Sequence, residues 1–504
     1  MMRPDTIYSA AVRLSHFAAI ILVLATGLTG LRLAWLSEGR LSSTMAGVVD
    51  LLVPSGTIHQ WHLYFGLTLA AVGLFHLLYS ALSGERRRLV GLFYVGPYSL
   101  LKKITYLGGF GVGLVAILTG ISIHAGLYAG PDGYLFNSVI HSWCARLLLL
   151  FAAGHLIEVV INKDTRINAI FLARPFAGSW SPRVALITTI ICLVVTGTIS
   201  VALDSPTTLR CHSRNRGIVI DGRVSDIEWY GVDSIVVQTS GGANFQVGTA
   251  AVTIKAFHNL QRVYFLVRWN DATPSFNRHL IKDGDQWCEE VSEYADRFGE
   301  AIYSEDQLGL FWFRDPGGCA ATCHVGEGDR MGLHYTDNDT IDGWQWMAVS
   351  TNPALEADDR WWGLRDNDST GGRHTDNKAA GGYVSNLNRD WKQPYFLPTH
   401  RAVRDWIWLG SSGYEAYADS LDIFVSGDRV PAVLVAPTTG GRGDVTARGI
   451  WHNGVWTVEI SRLLAAESPH DISLRGELFL GVALFDNAQS HHSYHLRPIK
   501  VVVE

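Results

Sequence analysis

Residues 58–82 read IHQWHLYFGLTLAAVGLFHLLYSAL, a stretch of 25 residues without Asp, Glu, Lys or Arg. A helix of about 20 apolar residues crosses a hydrocarbon core of about 30 Å, so this stretch predicts a membrane span. Further apolar stretches of similar length lie at roughly 12–35, 104–127, 136–161 and 184–203. The sequence therefore predicts an all-α transmembrane bundle of five helices within residues 1–205.

Histidines recur at one spacing in the second and fourth spans. His62 and His76 are 14 residues apart, and His141 and His155 have the same separation. Fourteen helical residues advance about 21 Å and return to nearly the same face, so each span offers one imidazole near each side of the bilayer. The two spans run in the same direction, so His62 can face His141. His76 can likewise face His155. Two facing imidazoles can hold the iron of a haem b, as in other helix bundles.

A buried histidine can also be a hydrogen-bonded core residue that binds nothing. Ionisable groups within spans are rare and usually functional, and two equally spaced pairs favour two haem sites over chance. Arg146 lies about one turn beyond His141. Its guanidinium could pair with a haem propionate or extend towards the lipid headgroups.

The first span adds a further motif. It contains Arg13-Leu-Ser-His16-Phe, followed by Leu-Thr-Gly at 28–30. Together with the histidines of the later spans, these residues resemble the di-haem cytochrome b subunits of formate dehydrogenases and nickel–iron hydrogenases. The resemblance covers roughly residues 8–205.

This resemblance implies a ligand set for two b haems. It implies that His62 and His141 hold an outer haem and that His16 and His155 hold an inner one. His76 departs from the family's pattern, and the 14-residue spacing favours His76 over His16 as the partner of His155. The histidine that does not bind iron could lie near a haem edge or a quinone.

The rest of the chain is polar and rich in Trp, Asp, Gly and Asn. The net charge of −6 and the lack of a basic stripe argue against a nucleic-acid partner. We expect a linker at 206–214 and an all-β sandwich at 215–504. Alternating segments between Gly and Asp turns predict strands at 251–256, 263–269, 307–313, 421–425, 432–436, 455–460 and 478–485.

Two motifs in this half resemble a known haem-binding domain. Val267-Arg-Trp-Asn-Asp-Ala-Thr273 and Ala483-Leu-Phe-Asp-Asn-Ala-Gln489 are similar to segments of the domain related to the γ subunit of ethylbenzene dehydrogenase. The resemblance covers roughly residues 215–504. It implies an immunoglobulin-like sandwich that carries one haem at its edge.

The segment Cys319-Ala-Ala-Thr-Cys323-His324 is one residue longer than the usual C-x-x-C-H signature of covalent haem attachment. It supplies two thiols for the haem vinyl groups and an imidazole for the iron, which predicts a haem c. A disulfide between Cys319 and Cys323, or a metal site, is the alternative. The histidine favours haem, because a disulfide does not need it. Candidates for the second ligand to this iron are Met331, Met347, His492 and His495.

Basic residues predict the orientation in the membrane. They concentrate in the loops at 86–103 and 163–183, whereas the other loops hold only Arg32 and Arg40. Basic loops stay in the cytoplasm, so the N-terminus is expected there. After five crossings, the C-terminal domain is expected in the periplasm of a bacterium, outside its inner membrane.

Two b haems and a haem c predict an electron-transfer chain. We expect exchange of electrons between the membrane quinone pool and a periplasmic cytochrome or another redox subunit. The sequence shows no catalytic constellation of its own. The alternative is a membrane-anchored ligand-binding sandwich, with a disulfide in place of the haem c.

Overall fold

The computed structural model describes residues 9–38, 58–83, 100–128, 130–161, 181–204, 207–290, 303–314, 340–363, 372–399, 405–410, 412–418, 423–465, 468–489, 492–495, 497 and 499–504. The chain forms two compact units, Met1–Ser205 and Pro206–Glu504.

The described part of the first unit consists of long helices. They are α1 (Ala10–Glu38), α2 (Ile58–Leu82), α3 (Leu100–Ala125), α4 (Gly130–Ile161) and α5 (Pro182–Asp204). All five are long and apolar enough to cross a membrane. Many of their large apolar side chains are exposed, which suits contact with lipid and not with water. The predicted five spans are confirmed.

The helices pack as two consecutive hairpins. α1 packs against α2 and α3 packs against α4, while α5 lies against α2. One end of this bundle is closed by a small cluster in which Ala11, Tyr79 and Ala185 are buried together. The Tyr79 hydroxyl accepts a hydrogen bond of 3.2 Å from the backbone N–H of Ser181, just before α5.

The described part of the second unit is built of strands. They are β1 (Thr207–Ser213), β2 (Ser234–Thr239), β3 (Ala250–His258), β4 (Arg262–Asn270), β5 (His279–Asp283), β6 (Gln286–Glu289), β7 (Gln307–Phe313), β8 (Ile341–Met347), β9 (Asp358–Gly363), β10 (Gly372–Thr375), β11 (Ala380–Ser385), β12 (Leu387–Asn388), β13 (Gln393–Pro394), β14 (Phe396–Pro398), β15 (Ile407–Trp408), β16 (Tyr414–Ala416), β17 (Arg429–Pro431), β18 (Val433–Thr439), β19 (Thr446–His452), β20 (Val455–Leu463), β21 (Gly476–Phe485) and β22 (Ile499–Val503).

Twelve of these strands form the main sheet. Their order is β10-β9-β8-β7-β21-β22-β1-β3-β4-β20-β19, and β2 pairs with β3. Aromatic contacts join strands that are not neighbours in this order. The ring of Phe265 in β4 lies 5.2 Å from Trp312 in β7, and Trp346 in β8 lies 5.0 Å from Trp456 in β20. The two halves of the sheet therefore face each other across one aromatic core, as the layers of a sandwich do.

The segment predicted to be a linker, 206–214, contains a strand of this sheet. Residues Thr207–Cys211 of β1 pair in parallel with β22, and His212 and Ser213 pair in parallel with β3. β1 thus joins the two halves of the sandwich. Only Leu209 and Cys211 of this strand are fully buried, and two apolar residues in a polar segment give too weak a pattern to predict a strand.

Most of the other strand predictions are confirmed, and one is not. Segments 251–256, 263–269, 307–313, 432–436, 455–460 and 478–485 coincide with strands over most or all of their length. Residues 423–425 belong to no strand, although they were predicted to be part of one. The five spans followed by a β-rich domain are confirmed, and the immunoglobulin-like arrangement stays a prediction.

The place of β1 predicts unequal effects of substitutions at neighbouring positions. Leu209→Ala should lower the free energy of unfolding of the β unit by about 2–5 kcal/mol, because it leaves a cavity in a packed core. Thr208→Ala, at an exposed position, should change it by less than about 0.5 kcal/mol. Denaturant unfolding of the full chain in detergent, followed by tryptophan fluorescence, measures both. Equally small effects would mean that this segment is a linker after all.

Candidate functional site

Two pairs of histidine rings face each other between helices of the first unit. The ring centroids of His62 in α2 and His141 in α4 lie 6.2 Å apart, with planes at 84°. Those of His16 in α1 and His155 in α4 lie 6.3 Å apart, with planes at 73°. Because His141 and His155 share one helix, the two pairs lie about 21 Å apart along it.

The Nδ1 atoms of the first pair form hydrogen bonds with the helices that come before them in sequence. His62 Nδ1 lies 3.0 Å from Thr29 Oγ1. His141 Nδ1 lies 3.2 Å from Thr119 Oγ1 and 2.9 Å from the carbonyl oxygen of Ala116. Since a carbonyl oxygen only accepts, the Nδ1 of His141 carries the imidazole proton.

The threonine hydroxyls indicate that the imidazole proton of His62 also lies on Nδ1. Thr29 Oγ1 donates its own proton to Ala25 O at 2.9 Å, and Thr119 Oγ1 donates to Val115 O at 2.8 Å. Each hydroxyl oxygen is then an acceptor towards the histidine. With the proton on Nδ1, the Nε2 atom keeps the lone pair that binds a metal ion.

Both threonines belong to a repeated tripeptide that sequence reasoning used only once. Leu-Thr-Gly occurs at 28–30 in α1 and again at 118–120 in α3. A Cβ added at Gly30 would lie 3.0 Å from Cε1 of His62, and one at Gly120 would lie 3.0 Å from Cε1 of His141. The glycine lets the ring approach the helix and the threonine orients it. Thr119 was missed, and the repetition was the signal that could have found it.

The second pair is not the one that the 14-residue spacing favoured, which was His76 with His155. The structure brings His16 to His155. His76 Nδ1 lies 2.9 Å from Ser15 Oγ, and this hydroxyl donates to Val12 O at 2.9 Å. His76 therefore has the same proton placement as His62, although the ring pair with His155 is formed by His16.

The geometry of both pairs fits an iron between the rings. Two imidazoles that bind one metal ion through nitrogen at about 2 Å place their ring centroids about 6 Å apart. The measured separations are 6.2 Å and 6.3 Å. For the first pair the chemistry of the donors also fits, because a neutral imidazole with a hydrogen-bonded Nδ1 is the usual form of a metal-binding histidine. These four histidines are suited to hold two haem groups.

Arg146 does not lie in the interior of the bundle. Its side chain is exposed, and its guanidinium carbon lies 5.1 Å from the centre of the Trp143 ring. This is a cation–π contact one turn from His141. The predicted pairing with a haem propionate stays a prediction.

The predicted haem c motif, with Cys319, Cys323 and His324, lies outside the described residues, and so does Met331. Met347 is the last residue of β8 and is 5% exposed. Its backbone N–H donates to Thr351 Oγ1 at 2.9 Å. In β8 the side chains alternate between faces, so Met347 and the core residue Trp346 lie on opposite faces of the sheet.

The two histidines near the C-terminus differ in their ability to bind iron. His495 uses both nitrogens, since Nε2 accepts from Val482 N–H at 3.0 Å and Nδ1 donates to Arg497 O at 2.6 Å. Burial lowers the pKa of His495 to about 4, which keeps the ring neutral. His492 is half-buried, with its ring 5.0 Å from that of Phe485. Its Nδ1 lies 3.2 Å from the carbonyl oxygen of Ser493, and its role as a ligand stays a prediction.

Two family comparisons cover most of the chain. Residues 226–497 match the family described as Ethylbenzene dehydrogenase, which is more than half of the sequence. Residues 7–171 match the family described as Prokaryotic cytochrome b561, and this range includes all the histidines discussed above for the first unit. No curated protein matches the chain.

Solved structures give weaker similarities. A protein from Bacteroides uniformis assigned to carbohydrate binding is 10% identical, covers 60% of this chain and all of its own, and has a TM-score of 0.28. A family 9 carbohydrate-binding module from Caldicellulosiruptor kristjanssonii, in complex with glucose, is 9% identical, covers 58% of this chain and 96% of its own, and has a TM-score of 0.24. The complex of such a module with cellotriose is 8% identical, with coverages of 59% and 95% and a TM-score of 0.24. Similarities at this level support no inference about this chain.

The threonine contacts predict a tuning effect on the first histidine pair. Thr29→Val removes one acceptor of the His62 Nδ1 proton, the other being the backbone of Thr26. This should make the imidazole less basic and raise the midpoint potential of a haem held there. Thr29→Ser keeps the hydroxyl and should leave the potential near that of the wild type. Redox titration of the α band measures the shift. An unchanged potential in Thr29→Val would show that this hydroxyl does not tune the ligand.

Proposed function

We propose that this chain, which belongs to the ethylbenzene dehydrogenase family and carries a prokaryotic cytochrome b561 in its N-terminal half, exchanges electrons between the membrane quinone pool and a periplasmic redox partner. It is a membrane electron-transfer cytochrome with b-type haem. We further propose two haems, a quinone and a periplasmic partner, and we assign the residues involved.

One observation carries this proposal: two histidine ring pairs at nearly the same separation, on two levels of α4. A passive anchor would not need them, because polar groups inside a membrane cost free energy unless they have partners. Two levels of ligands on one helix suit transport across the membrane better than a single buried site.

The residues then divide into ligands and positioning groups. His62 and His141 would hold the outer haem b, and His16 and His155 the inner one. Bound haem supplies one-electron oxidation and reduction. The hydroxyl groups of Thr29 and Thr119 keep the Nδ1 protons of the first pair in place. His76 is not needed as an iron ligand in this assignment, and we assign it to the surroundings of the inner haem or of a bound quinone.

For the second unit we propose a location in the periplasm and a covalently bound haem c. The basic loops favour a cytoplasmic N-terminus, and five spans then place residues beyond 205 outside the inner membrane of a bacterium. Cys319 and Cys323 would bind the haem vinyl groups and His324 the iron. Met331, Met347 and His492 remain the candidates for its second ligand. The partner would be a periplasmic cytochrome or another redox subunit.

The assignment of the b haems predicts which substitutions act together. His62→Ala and His141→Ala should each remove one and the same b haem, because each breaks one bis-imidazole pair. His16→Ala and His155→Ala should each remove the other haem. The haem b content of the purified protein should fall from two to one per chain in each case. Haemochrome spectra give the content, and redox titration identifies the species that is lost.

His76→Ala is the matched control for this assignment, since it removes a third histidine that also carries its proton on Nδ1. We expect it to retain both b haems. If His76→Ala and His155→Ala removed one common haem while His16→Ala kept it, His76 would be the ligand. If all five variants kept two haems, the proposed sites would be wrong.

The haem c predicts covalent staining of this chain. The full protein should show haem-dependent peroxidase staining on a denaturing gel, and Cys323→Ser should weaken or abolish it because one thioether bond is lost. Cys288→Ser is the control, since Cys288 is an exposed cysteine outside the motif. Full staining of Cys323→Ser would exclude this attachment site. A wild-type chain without covalent haem would favour a disulfide between Cys319 and Cys323.

A further inference from the structure

We propose that Asp271, Asp306 and Asp486 form a Ca²⁺-binding site in the β unit, apart from any haem. One oxygen of each of these carboxylates lies within 4.8 Å of the others. Each residue stands next to the end of a strand: Asp271 follows β4, Asp306 precedes β7 and Asp486 follows β21. The site would join three segments that are distant in sequence.

The sheet topology brings these residues together. β7 and β21 are antiparallel neighbours in which Gln307 pairs with Phe485, so the next residues outward, Asp306 and Asp486, emerge at the same end. β4 belongs to the facing half of the sheet and pairs with β20. Asp271 therefore reaches the same end from the other layer of the sandwich.

Asp306 is held in a fixed orientation. It is fully buried, and Oδ2 accepts from Ser275 N–H at 2.6 Å and from Trp456 Nε1–H at 2.9 Å. Among the described residues, Oδ1 accepts one hydrogen bond, from Asn487 N–H at 2.9 Å. A carboxylate oxygen has two lone pairs, so Oδ1 retains one that can bind a cation.

Asp271 supplies the independent sign of a ligand. It is only 4% exposed, and its Oδ1 accepts from Thr273 N–H at 3.1 Å. Its Oδ2 is buried and has no hydrogen bond of ordinary length within the described part of the chain, although the Trp269 side chain interacts with this carboxylate. A buried carboxylate oxygen without a donor is costly, and a bound cation would remove that cost.

The chain shows how it neutralises a comparable group of acids elsewhere. Asp359, Asp444 and Asp471 also form a compact cluster. Arg462 forms ion pairs with that cluster, since its Nη1 lies 3.7 Å from a carboxylate oxygen of Asp359 and 3.7 Å from one of Asp471.

Within the part of the chain that the structure describes, the proposed site has no such arginine. Among the residues that the structure describes, no ion pair reaches Asp271, Asp306 or Asp486. Uncompensated buried charges are strongly destabilising, so these acids need either protons or a cation.

The type of ligand atom determines which class of cation fits the site. All three are carboxylate oxygens, which suit hard cations and not the metal ions that prefer nitrogen or sulfur. Ca²⁺ accepts irregular arrangements of six to eight oxygen ligands, whereas Mg²⁺ requires a nearly ideal octahedron. Asp486 is half-buried and leaves one side for water ligands and for entry of the ion. Ca²⁺ therefore fits this site best.

The test uses the full chain in detergent, treated with EGTA and then transferred to buffer without chelator. Isothermal titration with CaCl₂ should show one Ca²⁺ bound per chain. At 100 times the dissociation constant, Ca²⁺ should raise the unfolding midpoint of the β unit by about 5 °C. A folded wild-type chain that binds no Ca²⁺ would overturn the proposal and would mean that the three acids share protons.

Two variants and one matched control locate the binding. Asp271→Asn and Asp486→Asn should each weaken Ca²⁺ binding at least tenfold. Because Asp486 is half-buried, its variant carries the test if Asp271→Asn fails to fold. Asp444→Asn changes the half-buried member of the cluster that pairs with Arg462. This variant should bind Ca²⁺ as the wild type does. Retained binding in Asp486→Asn, or its loss in Asp444→Asn, would contradict this location.

Discussion

A histidine inside a membrane must find partners for both ring nitrogens, because lipid supplies none. In this chain, hydroxyl groups on neighbouring helices accept the Nδ1 proton of His62, His76 and His141. Each hydroxyl also donates to a carbonyl of its own helix, so no donor is lost. Nε2 is thereby left with a lone pair, and the helix hairpins are held in the register that brings the histidines together. A division of roles between the two nitrogens is what a metal-binding histidine requires.

The membrane half shows what a sequence can and cannot predict. The spans follow from composition alone, because a helix that crosses lipid must be long and apolar. The two histidine levels follow from a spacing of 14 residues on α2 and on α4. The choice between His16 and His76 could not be made from spacing, since it depends on how α1 leans against its neighbours. The role of Thr119 was visible in principle, because its tripeptide repeats that of Thr29, but its meaning requires a contact with another helix.

The β half was less predictable, for a physical reason. Its strands with alternating apolar residues were found, because burial on one face leaves a pattern of period two. β1 has little such pattern, and its identity depends on pairing with β22 and β3, far away in sequence. The acidic group of Asp271, Asp306 and Asp486 is invisible for the same reason, as only the folded sheet brings the three strand ends together. Charge that the sequence spreads over more than 200 residues becomes concentrated at one point.

The parallel pairing of β1 with β22 also constrains how the protein is made. These strands are separated by about 290 residues, so β1 has to wait for a partner that is made much later. Until synthesis reaches β22, one edge of β1 and one edge of β21 lack their neighbour. Such edges are sites of aggregation and of attack by proteases. The nascent domain thus needs protection, by chaperones or by rapid synthesis, for longer than a domain built from consecutive hairpins. Any lesion that stops translation early would leave a membrane anchor carrying an unfinished sheet, which quality control can recognise and remove.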